Sequence, residues 1–208
     1  MVNSLTSSGG LPHPERRVAS PRAAGCLTPS GGDAYNLEVA EMNRPRIKGE
    51  LVELRVADSN DLELLFRWLK DPSVYVWWGG HPVGREAIQQ KYTGLRSPQV
   101  ESYIIEESGT PVGYIQSWQA PESSCGIDIF LDPTKQGRGL GTDAVCALIR
   151  YLTEVEGRLL ITADPATENV RALAMFRKAG FTPSGRKTHE GNPICTYRGG
   201  GLSFICLE

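Results

Sequence analysis

The residues best placed to do chemistry stand seven in a row, Gln136-Gly137-Arg138-Gly139-Leu140-Gly141-Thr142. They separate a strand-like run from a helical one, so their small side chains leave backbone N–H groups open at a helix N-terminus. Those amides and the helix dipole favour an anion, phosphate above all. Two common glycine loops do not fit. A dinucleotide fingerprint counted from Gly137 wants glycine where Thr142 stands, and a nucleotide-hydrolase loop ends in Gly-Lys-Ser/Thr, a tripeptide the chain lacks. Asp128 sits in the apolar run Ile127-Asp128-Ile129, where an unpaired carboxylate is costly to bury; it faces a polar cleft, has a partner, or points to solvent on an alternating strand. Asp164 precedes Pro165 at a strand end, where loop residues gather around ligands, a place equally natural for a turn or helix-capping aspartate. Trp77 and Trp78 offer a flat wall for a ring, or plain rim packing. His81, beside Pro82 in a loop, caps a turn or points outward and takes no role.

The elements that position these groups follow from periodicity. Residues 50–56 alternate as a strand, and Asp58-Ser59-Asn60 offers helix caps. Leu62, Leu65, Phe66 and Leu69 then repeat at the spacing of one helix face, a helix that Asp71-Pro72 ends. Residues 74–82 read as an aromatic-rich loop and Arg85 to Tyr92 as a second helix. Residues 102–106 and 111–118 are expected to form a hairpin around Ser108-Gly109, followed by a strand over 126–131. Past the glycine loop, Val145, Leu148, Ile149 and Leu152 mark a helix beginning directly on the glycines. A buried strand over 158–163, a helix from Thr167 to Ala179 closed by Gly180, and a last strand after Gly199-Gly200-Gly201 complete the pattern. This order predicts an α/β or α+β layered sheet.

Composition bounds the rest. A chain of 208 residues with 40% hydrophobic and 22% charged residues suits one cytosolic globular domain. Residues 1–48 are rich in Ser, Gly, Pro and Arg with hardly any apolar period, and are expected to be a disordered or extraneous tail; Met42 is a candidate natural start, and the catalytic domain is expected over 49–208. The tail carries six basic and four acidic side chains, so a chain of net charge −2 leaves −4 on the remainder. That balance argues against nucleic acid as a partner and is compatible with a cationic substrate. No apolar run approaches the ~20 residues of a membrane span, and no secretory leader stands at the N-terminus. The five cysteines, odd in number and without C-x-x-C or His spacing, read as ordinary thiols in a reducing compartment, with no metal implied. Oligomeric state is expected to be monomer or homodimer.

The pattern Q/R-x-x-G-x-G/A, met by Gln136, Gly139 and Gly141, resembles the pyrophosphate loop of the GNAT N-acetyltransferases. Asn169, Arg171-Ala172 and Phe176-Arg177-Lys178-Ala179-Gly180-Phe181 look like the second signature of that superfamily, about thirty residues on. Within it, Trp77-Trp78-Gly79-Gly80, Gly113-Tyr114-Ile115-Gln116-Ser117, Gly126-Ile127-Asp128 and Thr162-Ala163-Asp164-Pro165 are similar to the aminoglycoside 6′-N-acetyltransferases, over about Leu51 to Gly185. The resemblance implies a mixed, mostly antiparallel sheet with helices on both faces and a splayed strand pair for acyl-CoA. It implies acetyl-CoA as cosubstrate, held by Gln136 to Thr142, by the backbone of Ile129, Phe130 and Leu131, and by Asn169, Ala172, Phe176 and Lys178. Asp128 is expected to receive the substrate ammonium and help remove its proton, with Trp77 and Asp164 also binding a small, polycationic amine.

Two departures from the family pattern stand out. The resistance enzymes usually carry a longer acidic flap where this chain has the short Ala120-Pro121-Glu122-Ser123-Ser124-Cys125, with one acid. They also commonly have a tyrosine, thought to protonate the departing thiolate, where this chain has Phe176. An aliphatic thiol has a pKa near ~8.5, so the thiolate can depart without an acid. The alternatives left open are a siderophore-type hydroxylamine, a polyamine or a protein N-terminus as acceptor, or an acyl-CoA-binding sensor without catalysis.

Overall fold

The computed structural model describes residues 46–120, 123–189 and 192–199, those from 186 on through their backbone alone. Eight strands form one sheet in the order β1-β2-β3-β4-β5-β6-β8-β7. They are β1 (Ile47–Lys48), β2 (Glu53–Val56), β3 (Val100–Glu107), β4 (Thr110–Gln119), β5 (Ser124–Leu131), β6 (Leu160–Ala163), β7 (Thr182–His189) and β8 (Asn192–Gly199). Every neighbouring pair is antiparallel except β5 and β6. The helices are α1 (Leu62–Leu69), α2 (Pro72–Tyr75), α3 (Arg85–Tyr92), α4 (Leu140–Glu154) and α5 (Val170–Lys178).

Strand alternation sends successive side chains to opposite faces, and each face has its own core. Tyr103, Ile105, Ile115 and Ile127 meet Leu148, Ile149 and Leu152 of α4 and Phe176 of α5. On the other face Ile104, Tyr114 and Phe130 meet Leu65, Trp68 and Leu69 of α1, Val74 of α2 and Ile88 of α3. Helices therefore cover both faces of a mixed, mostly antiparallel sheet, as the resemblance implied.

Local chemistry explains the element ends. Asp58 caps the 3-10 turn Ser59–Asp61 that leads into α1, accepting from Asn60 N at 2.7 Å, while Asp61 accepts from Asp58 N at 3.0 Å in return. Asp61 is also gripped by both terminal nitrogens of Arg55, whose Nε reaches Glu106 on β3, so the turn is tied to the sheet. Asp71-Pro72 ends α1 as read, but it also starts a helix: Asp71 accepts from Ser73 N at 2.9 Å with Pro72 in the first turn, and α2 occupies part of the expected loop.

Three further differences concern the ends of the sheet and the cysteines. Ile47 and Lys48 pair with Leu54 and Glu53, so the sheet begins before Gly49. At the other end β7 and β8 form a hairpin that a run of Thr, Pro, Ser, Gly, Arg and Lys does not announce, while the strand expected after the three glycines lies outside the described residues. Cys125 is a buried free thiol that burial pushes up to about 11, but Cys146 is disulfide-bonded, against the reading of all five cysteines as thiols.

The chain just after β1 is held by one carboxylate. Asp143, in the first turn of α4, accepts N–H bonds from Glu50, Leu51 and Val52 at 3.0, 2.8 and 2.9 Å. A Cβ at Gly49 would sit 2.3 Å from Asp143 Oδ2, so glycine there permits the approach. Asp143→Ala is expected to lower stability by about 1–2 kcal/mol, read as a lower denaturant midpoint with an unchanged slope.

Candidate functional site: a cleft where two strands part

Parallel pairing of β5 and β6 covers Ser124↔Leu160, Cys125↔Ile161 and Gly126↔Thr162, then stops. β6 ends at Ala163, two residues before Pro165, which has no N–H to extend a ladder, while β5 runs on, paired with β4 alone. A cavity of about 970 Å³ fills the gap. Its walls are β5 from Ile127 to Leu131, the glycine loop, the segment from Asp164 to α5, and Ser73, Val74, Trp77 and Trp78 from the opposite face.

The backbone of β5 faces this cavity in a defined way. Asp132 N donates to Val112 O at 2.9 Å, and the β4–β5 register is unbroken from there to Cys125. Antiparallel alternation then directs the N–H of Phe130 and Asp128 towards β4 and those of Ile129 and Leu131 into the cleft. Of the three residues expected to supply backbone contacts, Phe130 thus turns its N–H to the ladder, and its ring joins the aromatic cluster.

The glycine loop follows a 3-10 turn, Pro133–Lys135, whose cap Asp132 accepts from Thr134 N and Oγ and from Trp68 Nε1. The donors to Asp132 outweigh its partial burial and lower the pKa of its carboxyl, keeping it charged. Gly137 and Gly139 have φ of +78° and +84°, a left-handed backbone that side chains resist. Gly139 is the residue before the first turn of α4, so the loop delivers its amides to a fifteen-residue helix at its N-terminus.

Gln136, Gly137, Gly139, Gly141 and Thr142 line the cavity, but the side chains of Arg138 and Leu140 do not. Arg138 forms a two-toothed pair with Glu107 at 2.6 and 2.9 Å, and Leu140 is buried in the core.

From the far wall, Asn169, Ala172, Phe176 and Lys178 all line the cavity. Asn169 Oδ1 caps α5 by accepting from Ala172 N at 3.1 Å. Phe176 is buried edge-to-face against Phe181, with ring centroids 5.2 Å apart. Arg171, given no role from sequence, reaches across to Gln136 Oε1 at 3.1 Å, joining α5 to the glycine loop. Its place in the second signature was the signal that marked it.

Asp128, Asp164 and Trp77 also meet in this cavity, whereas His81 is exposed and outside it. Asp128 is half-buried, and its Oδ2 accepts from Gln116 Nε2 at 2.9 Å. The open alternative of a solvent-facing acid on an alternating strand therefore does not hold. Trp77 is 47% exposed at the rim, while Trp78 is fixed edge-to-face on Phe130 and Tyr114 at 4.9 and 5.9 Å. Sequence reading singled out Trp77, yet of the two Trp78 is the one packed into the aromatic cluster. Among the described residues no group of three His, Cys, Asp or Glu is placed to hold a metal.

A cleft lined by a glycine loop at a helix N-terminus and by two acids suits a nucleotide-bearing thioester and an amine. Residues 58–188 match the family described as acetyltransferase (GNAT) domain. The chain belongs to the GNAT acetyltransferases. It is 31% identical over 159 residues to the aminoglycoside N(6′)-acetyltransferase type 1 of Klebsiella pneumoniae, covering 68% of this chain and 79% of that one. It is 23% identical over 145 residues to the spermidine N(1)-acetyltransferase of Escherichia coli, covering 67% and 77%. Among solved structures, AAC(6′)-Ib in complex with ribostamycin and coenzyme A superposes with a TM-score of 0.67 at 30% identity, covering 73% of this chain and 94% of that one. Another structure of AAC(6′)-Ib, with the same score and coverage, holds acetyl-CoA.

This GNAT protein is an acetyl-CoA-dependent N-acetyltransferase, and its cleft fits the cosubstrate: left-handed glycines at a helix N-terminus, main-chain donors on β5, and Lys178 and Arg171 on the opposite wall. Gly139→Val forces a branched side chain into the left-handed region, at about 1–2 kcal/mol. It is expected to weaken acetyl-CoA binding at least tenfold in calorimetry while the circular dichroism of the fold is kept.

Proposed function

We propose that the acceptor is a small polycationic amine, with the 6′-amine of an aminoglycoside as the leading candidate. The observation that carries this reading is the meeting of Asp128 and Asp164 in one cavity beside Trp77 and Trp78, a negative, aromatic-walled space for an ammonium and a ring. The relatives named for aminoglycoside N(6′)-acetylation support it, at about 30% identity.

In this reading acetyl-CoA supplies the activated acyl group, and the chain's own residues do three things. The amides of Gln136 to Thr142 hold the pyrophosphate, with Asn169, Ala172, Phe176 and Lys178 beside the rest of the cosubstrate. The N–H groups of Ile129 and Leu131 receive the acyl carbonyl oxygen, an oxyanion contact whose removal in other enzymes costs about 2.7–4 kcal/mol. Asp128 binds the incoming ammonium and takes up its proton, while Asp164 holds a second charge. Phe176 cannot donate a proton, so the thiolate leaves unassisted by that position.

The catalytic domain is proposed to need nothing before Met42. A chain starting there is expected to keep acetyl-CoA affinity and turnover, and a clear loss of either would show that the first 41 residues are needed.

A second reading, acylation of a polyamine or peptide amine, is favoured by the short β4–β5 connection, where Ala120 N already donates to Ser124 O at 3.0 Å. Such a turn leaves little chain to fold over a multi-ring drug. Thioester consumption with kanamycin, ribostamycin, spermidine and short peptides separates the two readings. Asp128→Asn is expected to cut turnover at least tenfold with acetyl-CoA affinity near normal; undiminished turnover would remove Asp128 from the chemistry.

A further inference from the structure

Behind Asp128 lies a row of polar side chains to which neither the resemblance nor the cavity lining gives a role. The sheet register sets Ser102 opposite Gln116 and Gln116 opposite Asp128, so the three stand side by side on one face of β3, β4 and β5. Tyr114, two residues before Gln116, shares that face. Ser102 and Tyr114 are fully buried and Gln116 is 8% exposed.

The direction of the hydrogen bonds in this row is set by chemistry. A carboxylate only accepts, so the Gln116 atom 2.9 Å from Asp128 Oδ2 is its amide nitrogen. That leaves Oε1 at the other end, 3.0 Å from the Tyr114 hydroxyl. An amide oxygen also only accepts, so Tyr114 gives its single proton there. The remaining 2.8 Å contact, between Tyr114 Oη and Ser102 Oγ, is then completed by the serine proton. All donors point one way along the row, and the row ends on Asp128.

The tyrosine cannot easily leave. Its ring is stacked on Phe130 at 5.4 Å and boxed edge-to-face by Trp78 and Tyr92 at 5.9 and 5.7 Å. A flipped Gln116 amide would set oxygen against the carboxylate and lose that hydrogen bond at the edge of a low-dielectric core, while the tyrosine hydroxyl would have to turn its proton away from the amide and accept instead.

We propose that Gln116 is a positioning residue for Asp128, aiming its carboxylate into the cleft and keeping it ionised, and that the buried Tyr114 hydroxyl, donating to Oε1, supports the Gln116 amide in the orientation able to do so. The inference rests on the reading of Asp128 as the acid that meets the amine. A carboxylate that must bind an ammonium and accept its proton needs a set direction, and a neutral donor gives it one without adding a competing charge.

Other charges near this row come from several elements. Tyr114 on β4 and Tyr92 on α3 both feel Asp128, and Arg96, in the segment after α3, acts on both tyrosines. Burial raises the pKa of both phenols, so they stay protonated through the working pH range. Asp164 shares the cavity, so each variant is also compared in an Asp164→Asn background.

The test is the pH dependence of kcat/KM with the best acceptor from the panel, for Gln116→Leu, Tyr114→Phe and Asp128→Asn. Loss of a donor to the charged form raises a carboxyl pKa, so the acid-side limb in Gln116→Leu is expected to move up by about one unit, with kcat reduced severalfold. Tyr114→Phe keeps the ring and the fold, and is expected to shift the limb in the same direction by about half as much. Acetyl-CoA affinity is expected to be unchanged in both. If Gln116→Leu does not fold, Tyr114→Phe alone decides. Limbs coinciding with that of the unaltered enzyme, and turnover lost only in proportion to unfolded protein, would reduce the row to a structural network and overturn the proposal. Full turnover in Asp128→Asn would instead sink the reading of Asp128 on which it stands.

Discussion

The arrangement of this molecule depends on one break in a ladder. After Gly126 and Thr162 the parallel pairing of β5 and β6 ends, and β6 itself stops at Ala163. From that point the N–H groups of Ile129 and Leu131 face a gap instead of a strand. Backbone polar groups in such a place need partners, and a ligand is one way of meeting that need. The cleft is thus made by an interruption of the sheet, and the remaining elements are arranged along its two walls.

Strand alternation divides the labour between the faces of the sheet. Odd-numbered residues of β5, Ile127 and Ile129, go with α4 and α5, which carry the glycine loop and the far wall of the cleft. Even-numbered ones, Asp128 and Phe130, go with the aromatic cluster built on α1 to α3. In the proposed mechanism a single strand therefore brings the backbone that meets the cosubstrate and the carboxylate that meets the amine together within adjacent residues. A one-residue slip in the β4–β5 register would exchange the two sets and abolish the site.

Rigid support is concentrated where charge has to be held. Asp132 is fixed by Trp68 and Thr134 at the start of the glycine loop, Asp143 ties the first helical turn after it to residues 50–52, and Arg138 is pinned to Glu107 beside it. On the proposed acceptor side Ser102, Tyr114 and Gln116 are buried among packed rings, and their row ends on the half-buried Asp128. Both ends of the cleft are preorganised by hydrogen bonds that need no ligand to form, which lowers the ordering cost of binding.

The sequence alone determined the glycine loop, the helices with a clear apolar face, the β3–β4 hairpin and the identity of the family, because each rests on local spacing: glycines at a helix start, i, i+3, i+4, i+7 periodicity, and two signatures thirty residues apart. It also marked Asp128, since an acid in an apolar strand is conspicuous without any structure. Only tertiary structure decided where that acid points, because its direction follows from a register across β3, β4 and β5 that no single strand encodes. The same holds for Arg138, called away by a Glu thirty-one residues distant, and for Trp78, rather than Trp77, as the fixed wall. The β7–β8 hairpin was illegible for a different reason: Thr182 to Lys187 has neither alternation nor β-branched density. Its place in the sheet comes from pairing with β6, an interaction between segments far apart in the chain.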